Sequence, residues 1–438
     1  MTRRIAMISE HASPLAVLGG VDSGGQNVYV AQVARQLAAM GYRVDVYTRR
    51  DDANLPLVVD AAPGVRVVNV PAGPAEPVPK EQLLAHMPEF LRWMVRDWTS
   101  QGRRYDLVHA NFFMSGQVAA GLRRTLGVPF VITFHALGKV RRMHQGASDT
   151  FPPEREAIET AVAASADRVI AECPQDEDDL VRLYGADPAR ITIVPCGFDP
   201  AEFGPVDQGK ARRRLGLDPD EPVILQLGRI VRRKGIDTVI EGLGRLRRDH
   251  GVHARLLVVG GSDRVADRER DREFARLMDL AETEGVTDRV TFIGRRDRAE
   301  LADYYGAADV FVSTPWYEPF GITPLEAMAC GTPVVGSDVG GIKYTVRDGK
   351  TGFLVPPRDP DALADRLARL LSDEQLRGAF AQNGITRVRR AFTWQHVARA
   401  LSDVYDDVLA ERRSERATPP KVATRSAVRT AQPVSTAR

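Results

Sequence analysis

The sequence predicts an α/β protein with two similar halves, each a parallel β-sheet covered by helices on both faces. Short apolar segments alternate with longer segments of helical periodicity, which is typical of strand–helix–strand units. The alternation stops at residues 195–219, which are rich in Gly, Pro and charge and which we expect to link two domains, and it restarts near Pro222. A chain of 438 residues is also long for one core, because a domain usually has about 150 residues. We therefore expect two Rossmann-like domains whose sheets face a central cleft.

The expected domains span residues 1–205 and 218–390. In the first half, Tyr29, Val33 and Leu37 recur at helical spacing, and Gly41 is a typical helix end. The predicted strands of this half are residues 5–8, 43–47, 107–109, 130–133 and 168–171. The predicted strands of the second half are residues 223–227, 255–259, 290–293, 310–312 and 333–335.

The C-terminal part of the chain carries one more helical pattern, over residues 361–411. It is interrupted near Gly384 and again at Phe392. We expect residues 391–412 to form a helix that packs back on the N-terminal domain. Residues 413–438 are rich in Pro, Thr, Ser, Ala and Arg without periodicity, which predicts a disordered tail.

Composition and charge argue against several classes of protein. A net charge of +2, without a basic stripe, gives no case for nucleic acid as the main partner. The cysteines, Cys173, Cys196 and Cys330, lie far apart, which disfavours a zinc site or disulfide framework and fits a reducing cytoplasm. The first apolar run ends at Ser9 and indicates a strand, not a signal peptide. No stretch approaches the roughly 18 apolar residues of a membrane span.

The segment 318–326 has two carboxylates separated by seven residues that include two prolines and a glycine. Glu318 should lie in a loop that leaves a strand, where a carboxylate can accept hydrogen bonds from two sugar hydroxyls. Glu326 should lie in the first turn of a helix. There Thr323 and Pro324 predict a capping box, which by itself would explain Glu326.

In each half, a glycine-containing loop follows the first strand. Residues 19–25 match neither the dinucleotide fingerprint nor the P-loop, so a plain flexible loop competes with a phosphate-binding loop there. Residues 228–235 contain Arg229 and Lys234, which can converge on a diphosphate, whereas the alternative is a solvated basic loop. The position at a strand's carboxyl end favours function, because open α/β sheets bind ligands there.

Two further features have competing interpretations. His135 follows a predicted strand at the edge where the domains should meet, so it can contact a sugar hydroxyl, or it can be a hydrogen-bonded, partly buried residue. Residues 90–98 form an aromatic, cationic helix pattern that could dock on a membrane surface. We favour a helix whose apolar face joins the core, because Asp97 interrupts its few basic residues.

Together these motifs resemble the family 4 retaining glycosyltransferases of GT-B fold, over nearly the whole chain except the tail. Residues 318–326 match the E-x7-E signature of that family, and residues 228–235 look like its diphosphate-binding strand end. Residues 22–26, 79–90 and 133–139 look most like sucrose-phosphate synthases, and they are also similar to the glycosyltransferases that use inositol phosphate. Both subfamilies take a phosphorylated polyol as acceptor.

The resemblance implies a role for each matching residue. In catalysis it implies His135, Arg229, Lys234 and Glu318. For the nucleotide-sugar donor it implies Gly24, Gly25, Arg229, Lys234, Arg295, Glu318, Phe320, Gly321, Ile322 and Glu326. For the phosphate of the acceptor it implies Lys80, Thr133 and Arg155, although residues 140–156 depart from the pattern of both subfamilies.

The expected function is transfer of a hexosyl group, with retained configuration, from a nucleoside-diphosphate sugar to a phosphorylated sugar or polyol. A UDP-sugar is favoured, and neither a metal nor another cofactor is expected. The alternatives are a peripheral-membrane glycosyltransferase acting on lipid or polysaccharide and a non-catalytic sugar-binding protein. An NAD-dependent enzyme would need the dinucleotide fingerprint, which is missing.

Overall fold

Two β-sheets organise the chain in a computed structural model that describes residues 2–16, 24–261, 263–264 and 271–417. The first sheet ends at Ile193 and the second begins at Val223, so each belongs to one half of the sequence. This arrangement confirms the predicted α/β fold with two Rossmann-like halves. The predicted domain boundaries stay a prediction. Of the predicted tail, residues 413–417 lie in the helix Trp394–Ala417, and the remaining residues lie outside the described ones.

The first sheet has the strand order β3-β4-β2-β1-β5-β6-β7-β8 in the described chain. Its neighbours run parallel except at one edge, where β3 is antiparallel to β4. The central strand β5 is buried along its whole length because helices cover both faces. The strands are β1 Arg4–Ile8, β2 Arg43–Arg49, β3 Val58–Ala62, β4 Val65–Val70, β5 Leu107–Asn111, β6 Phe130–Thr133, β7 Arg168–Ala171 and β8 Ile191–Ile193.

Helices follow most strands of this first lobe. The helices are α1 Gly25–Ala39, α2 Met87–Ser100, α3 Phe113–Leu126, α4 Gly138–Gln145, α5 Glu154–Ser165 and α6 Pro174–Tyr184. Helix α1 ends before Gly41, as predicted, and that glycine has a φ of 93°. Short 3₁₀ helices cover Lys80–His86, Gly146–Ser148 and Pro188–Arg190.

The second sheet has the order β11-β10-β9-β12-β13-β14 and runs parallel in the described chain. Its strands are β9 Val223–Leu227, β10 Arg255–Val259, β11 Val290–Gly294, β12 Val310–Ser313, β13 Val334–Ser337 and β14 Gly352–Val355. The helices from here on are α7 Gln208–Leu215, α8 Ile236–His250, α9 Arg272–Thr283, α10 Leu301–Ala307, α11 Ile322–Cys330, α12 Gly340–Thr345, α13 Pro360–Ser372, α14 Glu374–Ala391 and α15 Trp394–Ala417. Further 3₁₀ turns cover Arg232–Lys234, Thr287–Arg289 and Arg298–Glu300.

The last helix, α15, returns to the first lobe. The hydroxyls of Tyr42 and Ser402 lie 2.7 Å apart, and His109 Nδ1 lies 2.6 Å from the Tyr405 hydroxyl. Trp394, at the start of α15, is buried in a hydrophobic cluster with residues of both lobes. One apolar cluster of the described chain therefore extends across both lobes.

Three expectations about the elements are wrong. Helix α14 runs uninterrupted through Gly384. A Cβ there would come within 3.2 Å of Met328, so the glycine lets α14 pack closely on α11. The break falls instead at Asp373, which caps α14. The segment 195–219 is not a plain linker, since α7 lies within it and Arg212 pairs with Asp309 at 2.7 Å.

The third error concerns the edges of the sheets. Strands β3, β4, β8 and β14 are missing from the prediction. Three of them have short or partly exposed apolar runs: β3 contains Asp60 and stays largely accessible, β8 has three residues and β14 begins with Gly352. Edge strands bury less surface than central ones, so their apolar pattern is weaker. No helix in the described chain is long and apolar enough to cross a membrane.

Candidate functional site

A cavity of about 340 Å³ lies between the lobes, where the carboxyl ends of strands from both sheets meet. The predicted site residues that line it are Gly24, Gly25, Lys80, His135, Arg155, Arg229, Lys234, Arg295, Glu318, Phe320, Gly321, Ile322 and Glu326. Of the described site residues, Thr133 is the one that does not line it. The placement follows from the topology, because parallel strands present their carboxyl ends at the same edge of a sheet.

The basic loop after β9 is held in place by its last glycine. Gly235 has a φ of 67°, and a Cβ on it would lie 2.0 Å from the carbonyl oxygen of Thr314, so a larger residue would force the loop away from β12. This close approach brings Lys234 beside the loop that follows β12. The sequence predicted both loops at strand ends, and the structure brings them together.

Glu318 is the meeting point of the two loops, as it contacts Lys234 Nζ and lies 3.4 Å from Arg233 Nη1. Its side chain is 11% exposed. Burial would raise the pKa of Glu318, but the neighbouring cations, led by Lys234, lower it to about 2. Burial also lowers the pKa of Lys234 to about 8, even though Glu318 favours its charged form. The site thus contains a nearly buried ion pair with one cation in excess.

Arg233 is a site residue that the sequence analysis missed. It lines the cavity, pairs with Glu318 and places its guanidinium 5.4 Å from the ring centre of Tyr317. The sequence offers a weak signal, three consecutive basic residues at 232–234, because nothing in that run tells which side chains turn inward.

Tyr317 also connects the lobes. Its ring stacks on His144 of α4, with ring centres 4.9 Å apart and 19° between planes. The amide of Gln145 donates a hydrogen bond to the Tyr317 hydroxyl. Helix α4 therefore touches the residue that precedes Glu318.

Glu326 is not a helix-capping residue, which corrects the predicted capping box. Helix α11 begins at Ile322 with Gly321 as its cap, so Glu326 is the fifth helical residue. Its side chain accepts a 2.9 Å hydrogen bond from the Tyr305 hydroxyl and lies 3.0 Å from Arg298 Nη1. Burial raises the pKa of Glu326, against the attraction of Arg298. A carboxylate this far into the cavity wall suits ligand binding better than capping.

Gly24 and Gly25 of the first lobe face the second lobe at close range. A Cβ on Gly24 would lie 3.9 Å from Arg229 Nε, and one on Gly25 would lie 3.7 Å from Ile322 Cδ1. The start of α1 therefore opposes the basic loop across the cleft. Residues 19–23 of the predicted loop lie outside the described residues.

His135 has a backbone conformation that non-glycine residues rarely adopt, with a φ of 59°. Its Nδ1 lies 2.9 Å from Glu172 Oε1, and its Nε2 lies 3.0 Å from Asn111 Oδ1. The edge of its ring packs on Tyr29, with centres 4.7 Å apart. The interpretation as a hydrogen-bonded, partly buried residue and the functional one are thus compatible, because the same ring lines the cavity.

The three acceptor candidates differ in their surroundings. Lys80 begins a 3₁₀ helix and lines the cavity. Arg155 also lines it, but it is 1% exposed, pairs with Glu159 at 2.7 Å and donates to the Ala136 carbonyl at 2.5 Å. Thr133 is fully buried, and its hydroxyl lies 2.9 Å from His109 Nε2. The geometry therefore supports Lys80 as an acceptor contact more than Arg155 and does not support Thr133.

The backbone of Arg295, implied as the contact to the base, is already engaged. Its N–H donates to the Asp263 carbonyl at 2.7 Å, and its carbonyl accepts from Arg296 at 2.9 Å. The side chain lines the cavity with a buried Nε that has no hydrogen-bond partner among the described residues. The guanidinium is thus better placed than the backbone to donate a hydrogen bond to a ligand oxygen.

The helix suspected of membrane docking is α2. Phe90, Met94 and Trp98 are buried, and the Trp98 indole donates to the Tyr47 hydroxyl at 2.9 Å. Its apolar face joins the core, as favoured from the sequence. These three side chains are therefore not available to a lipid surface.

The fold has two Rossmann-like lobes with a cavity between them, and two family profiles match this chain. The profile "Glycosyltransferase Family 4" matches residues 23–202, and "Glycosyl transferases group 1" matches residues 207–387. The protein therefore belongs to glycosyltransferase family 4 and is a glycosyltransferase.

Within this family, the chain is similar to proteins of two kinds. The chain is 41% identical over 417 residues to the D-inositol 3-phosphate glycosyltransferase of Acidothermus cellulolyticus, covering 94% of this chain and 92% of that protein. It is 40% identical to the protein of that name from Actinosynnema mirum, over 92% of this chain and 97% of that one. Among solved structures, sucrose-phosphate synthase from Thermosynechococcus elongatus is 37% identical with a TM-score of 0.85, over 93% of this chain and 100% of that one.

Proposed function

We propose that this glycosyltransferase moves a hexosyl group from a UDP-sugar to a phosphorylated polyol or sugar, with retention of anomeric configuration. The observation that carries the proposal is the cavity itself, where Arg229, Arg233 and Lys234 stand beside Glu318. Cations suit the leaving diphosphate, and a carboxylate suits the hydroxyls of the sugar.

The donor half of the proposal uses the second lobe. Arg229 and Lys234 hold the diphosphate, and the N-terminus of α11 at Phe320, Gly321 and Ile322 offers backbone N–H groups to the sugar. Glu326 binds the ribose hydroxyls. Lys234 has three donors, so it can contact a phosphate oxygen while it keeps Glu318 oriented.

The acceptor half uses the first lobe. Lys80 faces the cavity from the loop before α2 and attracts the acceptor phosphate. The relatives with 38–41% identity carry the name D-inositol 3-phosphate glycosyltransferase. An inositol phosphate is therefore the first acceptor to test, and a phosphorylated ketose is the second because of the likeness to sucrose-phosphate synthase.

The proposed reaction breaks the bond between the anomeric carbon and the diphosphate and forms a new bond to the acceptor oxygen on the same face. The acceptor hydroxyl gives its proton to the departing phosphate oxygen. Preorganised cations stabilise the charge that develops on the phosphate, and losing one such contact costs on the order of 3 kcal/mol. The proposed step uses no metal and no other cofactor.

The test is a matrix of donors and acceptors, with product identified by mass spectrometry. The donors are UDP-glucose, UDP-N-acetylglucosamine, ADP-glucose and GDP-glucose, and the acceptors are D-inositol 3-phosphate, inositol, fructose 6-phosphate and fructose. We expect product with a UDP-sugar and a phosphorylated acceptor, an α-anomeric proton signal as in the donor, and an unchanged rate in EDTA. Equal rates with phosphorylated and plain acceptors, or an inverted anomer, would contradict the proposal.

A further inference from the structure

Behind His135 lies a carboxylate that the proposed mechanism does not use. Glu172 directly follows β7, is 3% exposed and lines the same cavity. Its Oε1 lies 2.9 Å from His135 Nδ1 and accepts a 3.1 Å hydrogen bond from the thiol of Cys196. The other ring nitrogen of His135 faces Asn111, so both nitrogens of the imidazole have a hydrogen-bond partner.

The backbone conformation of His135 explains why its ring must be held by hydrogen bonds. A φ of 59° is strained for a residue with a Cβ, and such strain persists only where the surroundings fix it. Asn111 in turn donates its amide to the Ile8 carbonyl at 3.2 Å, which orients its oxygen toward the ring. The hydrogen bonds to Glu172 and Asn111 therefore hold the loop in this conformation.

Charge distinguishes Glu172 from the other carboxylates in the cavity wall. Glu318 is paired with two cations, and Glu326 lies next to Arg298. Within the described residues, the ion pairs of Glu172 involve His135 alone. Glu172 thus faces an imidazole, whereas Glu318 and Glu326 face ammonium or guanidinium groups.

A negative charge here is useful because the glycosyl group becomes oxocarbenium-like, and hence positive, in the transition state. We propose that Glu172 is a positioning residue for glycosyl transfer: it holds His135 in its left-handed conformation and adds negative charge to the wall that faces the transferred hexose. This inference rests on the proposed function, which places the hexose beside His135.

The matched test compares two buried carboxylates of one cluster. Glu172→Gln removes the charge and keeps the size. Asp176→Asn is the control, because Asp176 accepts the Glu172 N–H at 2.9 Å and does not line the cavity, and burial raises its pKa to about 8. Asparagine therefore replaces a mostly neutral carboxyl at pH 7.

We expect Glu172→Gln to lower kcat by on the order of 100-fold with UDP-glucose and D-inositol 3-phosphate, while KM for the donor changes about twofold or less. Glu172→Asp should recover part of the rate, and Asp176→Asn should keep nearly all of it. A structural role alone would instead lower the unfolding midpoint and leave kcat per folded molecule unchanged.

A second readout does not depend on substrate identity. The ¹⁵N NMR signals of His135, assigned with His135→Gln in ¹⁵N-histidine-labelled protein, should shift at Nδ1 in Glu172→Gln and stay in place in Asp176→Asn. If the signals and kcat both survive Glu172→Gln while Lys234→Met is inactive, the role of Glu172 is refuted and the proposed function stands. If Lys234→Met also keeps full activity, the proposed site itself is wrong.

Discussion

Replacing Lys234 with methionine separates a ligand-binding role from a structural one. Lys234 contacts Glu318 in a nearly buried ion pair, and such a pair is often assumed to stabilise a fold. Methionine keeps most of the apolar stem and removes the charge. We predict a large loss of activity and a small change in the free energy of unfolding.

The magnitude follows from the surroundings of the pair. Burial lowers the pKa of Lys234 from 10.5 to about 8, which corresponds to roughly 3 kcal/mol that disfavours the charged ammonium. Methionine has no charge, so it removes this unfavourable contribution to the free energy of folding. Glu318 loses a partner, but Arg233 stays 3.4 Å away and keeps its carboxylate compensated. The two effects offset each other, so we expect a net change of about 1 kcal/mol or less, against roughly 3 kcal/mol in the transition state.

The assay measures UDP release with the donor and acceptor that react in the matrix described above, and thermal unfolding of the same samples. We expect kcat/KM to fall by about 100-fold or more and the unfolding midpoint to fall by less than about 4 °C. The control is the double variant Lys234→Met with Arg233→Met, which removes both of the cations that pair with Glu318 and should destabilise by about 3–5 kcal/mol. Full activity in the single variant, or unfolding as severe as in the double variant, would refute the reasoning.

Three further predictions use the same assay. Lys80→Ala should raise KM for the phosphorylated acceptor and leave KM for plain inositol unchanged; an equal loss with both would rule out the phosphate contact. The value of kcat/KM, which reports the free enzyme, should fall as pH rises above about 8, because Lys234 is protonated below its pKa of about 8 and neutral above it. In Lys234→Arg that decline should vanish, and its persistence would assign it to another group. Finally, Tyr317→Phe and Gln145→Ala each remove the hydrogen bond that Gln145 donates to the Tyr317 hydroxyl. A double-mutant cycle on kcat/KM should show a coupling of about 0.5 kcal/mol or more if this contact positions Glu318, and additive effects would show that it does not.

Central strands and strand-end loops could be predicted from the sequence because their signals are local. The run 223–227 is apolar throughout, and the glycine and cations that follow it, such as Arg229, fall where open sheets bind ligands. Glu318 was predicted in a loop for a similar reason. The edge strands were missed, since strands such as β3 bury little surface and leave only a faint pattern.

Contacts between distant segments could not be predicted in this way. The Thr323–Pro324 pair suggested a helix start, yet α11 begins at Ile322, so the capping interpretation of Glu326 was wrong. Tyr305 and Arg298, which contact Glu326, come from a different loop and helix. Glu172 meets His135 because β6 and β7 are neighbours in the sheet, although the two residues are 37 positions apart.

The sequence by itself determined the two repeated α/β halves, the basic loop after the second half's first strand and the carboxylate motif, because periodicity and glycine spacing are properties of short segments. Only the tertiary structure decided which charges meet. It paired Lys234 and Arg233 with Glu318, turned Thr133 inward away from the cleft and set Glu172 behind His135. The physical reason is that ion pairing and burial depend on distances across the cleft and between strands, and folding alone brings those segments together.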